Sequence, residues 1–245
     1  MDTQTNKKVV VLITRYNEYI DWIRYIIHCV DYIYIYNKGT NDNLFNFIDK
    51  TLYKDKLRII NLPNIGRIDH TLTYHILQHW DNLPEILVSL PGSIMMSEKK
   101  GYYLNSIIKR IPVIKEKFSG FFGPRFYKVS PKFNYNIDNY QAKGACNKND
   151  NPFIKSKYKD FVEWKLKLID NVPMTSVVMR CTFAVCKENI QFIDKQIYKN
   201  ILESLSVGDN IENGHFVERI WGHLFTQLSL CNQVISQKSD TLLLA

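Results

Sequence analysis

Along the first 92 residues, short apolar runs alternate with stretches whose apolar residues recur every three or four positions. Val9–Thr14 (VVVLIT) is an unbroken apolar run of the kind a buried parallel strand shows. Tyr32–Asn37 (YIYIYN), Leu57–Leu62 (LRIINL) and Ile86–Leu90 (ILVSL) also read as strands, the last stopped by Pro91 and Gly92. Between them, Ile20–Cys29 places Ile20, Ile23, Ile26 and Ile27 on one helical face, and Leu44–Leu52 has helical period. Asp69–Trp80 aligns Leu72, His75, Ile76 and His79 along a stripe. Such alternation predicts βαβ units with right-handed crossovers, hence an α/β, Rossmann-like fold with helices on both faces of a mostly parallel sheet. Ligands of such sheets bind beyond the carboxyl ends of the strands. Four loops follow from that rule: Thr14–Glu18, Asn37–Asp42, Leu62–Asp69 and Leu90–Met96.

The second half is less regular. Tyr102–Ile111 and Lys115–Phe118 read as helical, and Phe121–Val129 as a strand or extended segment. Ser130–Lys157 is polar and reads as a long loop, a feature often tied to function in a compact domain. Helices are expected at Phe161–Ile169, Lys187–Phe192, Lys195–Leu205 and Gly214–Leu228, with a strand at Ser176–Val185. The tail Asn232–Ala245 carries weak signals. No internal repeat or linker interrupts the chain, so residues 1–245 are expected to form a single domain. Its halves are 9–92 and 93–231.

Charge narrows the partners. A net charge of +8 attracts anions such as nucleic acid, acidic membranes or sugar nucleotides. The lysines are scattered rather than clustered, which favours a solvated basic surface over a polynucleotide site. The abundant Lys, Asn, Ile and Tyr share AT-rich codons, so the aromatic content alone marks no binding surface. Five cysteines, with no Cys-x-x-Cys pair, fit reduced thiols. A polar Met1–Lys8 segment and the lack of an apolar run of about 18 residues argue for a cytoplasmic protein without a membrane span.

The loops hold the candidate chemistry. In Thr14–Glu18, Arg15 suits a phosphate and Tyr16 a base, while Asn17 and Glu18 equally suit a helix start. Asn37 and Lys38 close the second strand, where their polar groups can read a base or ribose or simply form a turn. Gly66 allows close backbone approach, and Arg67 offers a bidentate fork to a diphosphate. Neither G-x-G-x-x-G nor a Walker-type motif is present, which counts against dinucleotide oxidoreductases and P-loop NTPases. On the last helix, Glu218 interrupts an apolar surface that includes Trp221 and Phe225, so it is either a partly desolvated base or an ion-paired surface residue. His215 and His223 flank it at a spacing that fits no zinc pattern, and Cys181 and Cys186 read as inert core thiols.

Taken in order, several segments resemble one family. They are Arg15-Tyr16-Asn17-Glu18 with Trp22, Tyr34–Gly39, Leu62–Arg67, Asp81-Asn82-Leu83-Pro84, Cys181–Val185 and Glu218-Arg219-Ile220-Trp221. The family is one of uncharacterised glycosyltransferase-like proteins, a domain of unknown function found in fungi, bacteria and large DNA viruses. The resemblance spans roughly Val9 to Phe225. It implies a GT-A-like fold with a nucleotide-sugar half followed by an acceptor half, and, in a viral member, the host cytoplasm.

The same resemblance implies a nucleotide-sugar donor, a glycan or protein acceptor, and Glu218 as the catalytic base opposite the donor. Three departures qualify it. Ile68 stands where an acidic residue is expected after Gly-Arg, although Asp69 is adjacent. Pro91-Gly92 replaces a Gln-Gly pair, and the chain contains no Asp-x-Asp to hold manganese or magnesium. Asp69 is then the remaining metal candidate, and Arg15, Lys38 and Arg67 are the cations that could replace a metal. A transferase and a non-catalytic nucleotide- or glycan-binding relative both stay open, with a basic nucleic-acid-binding module as a further alternative.

Overall fold

The computed structural model describes residues 7–96, 98–117, 120–123, 127–128, 152–172, 174, 176–178 and 181–228. The four N-terminal strands form where the apolar runs lie: β1 Val9–Arg15, β2 Tyr32–Asn37, β3 Leu57–Asn61 and β4 Ile86–Pro91. All pair in parallel. Two later strands, β5 Phe121–Phe122 and β8 Phe183–Cys186, complete a six-stranded sheet of order β3-β2-β1-β4-β8-β5, with β8 antiparallel to both neighbours. A separate pair joins β6 Tyr127–Lys128 to β7 Ser176–Val177.

Strand periodicity divides the core. Val10, Leu12, Tyr36, Leu87, Phe183 and Val185 face one side. There they pack against helices α1 Arg67–Gln78, α3 Phe161–Leu168, α5 Lys195–Leu205 and α6 Glu212–Phe225. Val9, Val11, Ile13, Ile33, Ile35 and Val88 face the other, against α2 Glu98–Lys117 and the segment around Trp22 and Ile23. The remaining helix, α4 Lys187–Gln191, follows β8 directly. Two-sided burial explains why these strands read as continuous apolar runs. No described helix is long and apolar enough to cross a membrane.

The structure departs from the periodicity in three places. Ile20–Cys29 forms only a short 3-10 helix, Asp21–Tyr25, consistent with the low helical preference of its β-branched isoleucines. Leu44–Leu52 is not helical, and a 3-10 turn begins only at Lys50. Here the carboxylate of Asp21 accepts the backbone N–H groups of Asn46, Phe47 and Ile48, at 3.0, 2.8 and 3.1 Å. Side-chain bonds of this kind compete directly with a helical ladder. The strand expected at Ser176–Val185 splits into β7 and β8, in different sheets, and Cys181 between them has φ 45°. Residues 130–151 of the expected long loop, most of the connection between β5 and β6, and the tail 232–245 lie outside the described residues.

Asp21 therefore holds the β2–β3 connection. Asp21→Ala should lower stability by about 0.5–1.5 kcal/mol, chiefly through the part-buried bond to Ile48, since water can replace the exposed bonds to Asn46 and Phe47. Denaturant unfolding checks this, and an unchanged midpoint contradicts it.

Candidate functional site

The chain passes outward through β1, β2 and β3, then returns to place β4 on the other side of β1. The reversal makes a crevice at the carboxyl ends of β1 and β4, where open α/β sheets bind ligands. The loops predicted from sequence do meet on this rim. Gly92 sits so close to β1 that an added Cβ would lie 3.1 Å from both the Arg15 Cα and the Thr14 carbonyl oxygen. Trp22 Nε1 donates to the Gly92 carbonyl at 3.1 Å.

Beneath the rim, two predicted phosphate ligands serve the protein itself. Arg15 is 0% exposed. Its guanidinium donates to the carbonyls of Glu18 (2.6 Å), Asn41 (2.6 Å) and Asn43 (3.1 Å), and to the Asn37 side-chain oxygen. Asn37 in turn donates to Asp42 and Asn61, both at 3.2 Å. Lys38, also buried, donates to the carbonyls of Ile65 and Arg67, the latter at 2.7 Å. Its ammonium is pushed down to about 8, chiefly by burial, with Asp209 and Asp69 opposing. Arg15 and Lys38 thus clamp the loops that carry the site.

Tyr16 and Asn17 are exposed on the rim. Asn17 accepts the Asn41 N–H at 3.1 Å instead of starting a helix. Gly66 has φ 57°, and an added Cβ would lie 2.7 Å from the Leu205 carbonyl oxygen and 2.6 Å from the His70 Cβ. The residue is glycine because α5 and α1 leave no room for a side chain.

Arg67, Asp69 and Glu218 all line one cavity of about 290 Å³. Its wall also includes Pro91 at the end of β4, Ser93 just after it, Tyr103 from α2, Thr182 before β8, and His215 from α6. Asp69 occupies the first turn of α1, favourable for a carboxylate, and is only 4% exposed. Its Oδ1 accepts from Trp221 Nε1 at 2.8 Å and from Cys181 Sγ at 2.7 Å. Burial pushes its carboxyl up to about 6, and the Glu218 charge adds to this, against the bonds from Cys181 and Trp221 and the charge of Arg67. The Cys181 thiol is itself driven well upward by burial and by Asp69, so it is a hydrogen-bond donor rather than a nucleophile.

From sequence, Glu218 was either a partly desolvated base or an ion-paired surface residue. The structure half-buries it and encloses Asp69 more fully. His215, whose spacing fits no zinc pattern, lines the cavity, held neutral with a pKa of about 3 mainly by burial and further by Arg67 and Arg219. Helical spacing alone places Glu218 and His215 one turn apart, so that signal was available. Ser93 lies in the Leu90–Met96 loop and Thr182 in the Cys181–Val185 segment, both marked from sequence, whereas Tyr103 carried no signal. His223 lies elsewhere, its Nε2 3.2 Å from Asp170.

Arg67 and Cys181 are the non-glycine residues of positive φ among those described, at 52° and 45°. One adjoins Ile68 and Asp69, and the other bonds Asp69. Backbone strain of about 1–3 kcal/mol each persists only where surrounding contacts fix it, and such residues cluster at functional sites.

The donor set does not make a cation site. Trp221 and Cys181 occupy Oδ1 of Asp69, and Arg67 places a fixed positive charge in the same cavity. Among the described residues, no three His, Cys, Asp or Glu side chains converge as a metal centre. The arrangement offers instead a proton acceptor at Glu218, a cation at Arg67 and a neutral imidazole at His215. No protein-family model and no curated protein matches this chain.

Asp69 makes a measurable prediction. Its folded-state pKa of about 6 lies above the ordinary 3.8, so the fold favours the protonated form. That stabilisation is complete below about pH 4 and is lost as pH rises through 6, a change of about 3 kcal/mol. Asp69→Asn keeps an Oδ1 acceptor and removes the charge. It should raise stability at pH 7.5 and flatten the pH 4–6 dependence in chemical denaturation. A less stable variant with the same pH profile would contradict the account.

Proposed function

We propose that this protein is a glycosyltransferase that moves a sugar from a nucleoside-diphosphate sugar to a hydroxyl of a glycan or protein acceptor. The reading rests on one observation: Arg67, Asp69 and Glu218 face a common cavity beside the crevice between β1 and β4. The resemblance of the loop motifs to glycosyltransferase-like proteins of GT-A type points the same way.

In this reading the sugar and diphosphate occupy the cavity, and the nucleoside lies along the rim near Tyr16 and Asn17. Glu218, the more accessible carboxylate, takes the acceptor hydroxyl proton. The hydroxyl oxygen forms a bond to the anomeric carbon as that carbon's bond to the diphosphate oxygen breaks. The electron pair leaves with the nucleoside diphosphate, and Arg67 stabilises the developing charge. Asp69 fixes the inner wall through Trp221 and Cys181, and its charge helps hold Arg67. No step is routed through a metal.

A second reading, a non-catalytic nucleotide- or glycan-binding protein, is favoured by the internal use of Arg15 and Lys38, which leaves Arg67 as the cation of the cavity wall. Turnover separates the two. Thermal-shift screening against nucleoside diphosphates and their sugars identifies the donor, since ligand binding raises native stability. With that donor, Glu218→Gln should lower kcat at least about 100-fold while leaving donor affinity within a few-fold. Arg67→Ala should weaken nucleoside diphosphate binding. Donor binding without turnover supports the non-catalytic reading, and full activity in Glu218→Gln removes Glu218 as base.

A further inference from the structure

A second cavity lies at the opposite end of the sheet, where β1, β2 and β4 begin, and holds about 440 Å³. Lys8, Arg58 and Lys187 contribute three cations to its wall, and Asp81 and Glu85 two carboxylates. Glu85 uses Oε2 to accept the Lys8 backbone N–H at 3.1 Å. Lys8 and Arg58 both lie over the Tyr32 ring, 4.7 and 5.4 Å from its centre. Tyr34, His75 and His79 also line the cavity, with the Tyr34 ring edge-on to both imidazoles.

His75 is a buried member of this wall. It is 1% exposed, and its Nδ1 is hydrogen-bonded to Tyr36 Oη at 2.9 Å. Its Nε2 is buried and has no hydrogen-bond partner among the described residues. Burial, with a contribution from His79, keeps the imidazole neutral with a pKa of about 3, and burial drives the Tyr36 phenol upward. Three cations against the two carboxylates leave the wall net positive, which suits an anion rich in acceptors. Those cations disfavour a metal ion.

We propose that this cavity is a second ligand site, for the phosphate group of a small molecule, bound by Lys8, Arg58 and Lys187. It is separate from the Arg67–Glu218 cavity and does not depend on the function proposed there. Helix α1 contributes to both, with Arg67 at its first turn and His75 in its second half.

The test is NMR of the histidine side chains during titration with inorganic phosphate and with a nucleoside monophosphate, against chloride at matched ionic strength. Saturable shifts of His75 and His79 are expected. Saturation by phosphate alone, by the nucleotide alone or by both supports the site and identifies its source. Lys187→Ala and Arg58→Ala should each weaken binding about tenfold, as loss of a charge-assisted contact does. Arg67→Ala, in the other cavity, should leave these shifts unchanged. No saturation by either ligand up to about 10 mM, a concentration that reveals even millimolar affinity, overturns the proposal. So do identical shifts with chloride, or full affinity in both Lys187→Ala and Arg58→Ala.

Discussion

The site depends on a carboxylate held away from water. Asp69 is enclosed at the first turn of α1, and the indole of Trp221 and the thiol of Cys181 meet on one of its oxygens. Those donors come from α6 and from the turn before β8, so one oxygen ties three distant parts of the chain together. Satisfying a buried carboxylate requires close donors, and its charge still costs free energy unless protonated or paired. The positive-φ backbone at Arg67 and Cys181 is the conformation in which these segments converge. The result is a cavity wall whose polar groups are fixed before any ligand arrives.

A second layer of polar groups makes the rim rigid. Arg15 and Lys38 are buried cations, each hydrogen-bonded to backbone carbonyls of neighbouring loops. They occupy the positions where sequence reasoning placed phosphate ligands, and the reason for the difference is local. A charge at the carboxyl end of a strand can point to solvent or inward, and residue type does not decide which. The loop carbonyls of Glu18, Asn41 and Asn43, which fix the answer for Arg15, become visible only in three dimensions.

Much of the fold was legible. Val9–Thr14 and Ile86–Leu90 announced parallel strands because two-sided burial demands unbroken apolar runs, whereas Leu57–Leu62, at the sheet edge, is largely exposed and was legible only from its alternation with helical segments. The alternation in YIYIYN was also informative, since its isoleucines face one core and Tyr36 the other. Legibility failed where side chains overrode local periodicity, as Asp21 does for Asn46–Ile48, and where a positive φ at Cys181 broke an apolar run. In the site, Arg67 and Glu218 were identifiable from their positions after a strand and within an apolar helix face. Asp69 was noted only as a metal candidate, because its enclosure depends on Trp221, which is 152 residues away. The unpartnered Nε2 of His75 was likewise hidden, since the residue reads as one more member of an apolar stripe.

The account stands on Asp69 and Glu218 sharing one desolvated cavity, and carboxyl-carbon NMR titration of Asp69 tests this most directly. The prediction is a midpoint near pH 6 in the native protein, falling toward the ordinary aspartate value of 3.8 in Glu218→Gln. A native midpoint near 3.8, or one that ignores the loss of the Glu218 charge, would contradict it.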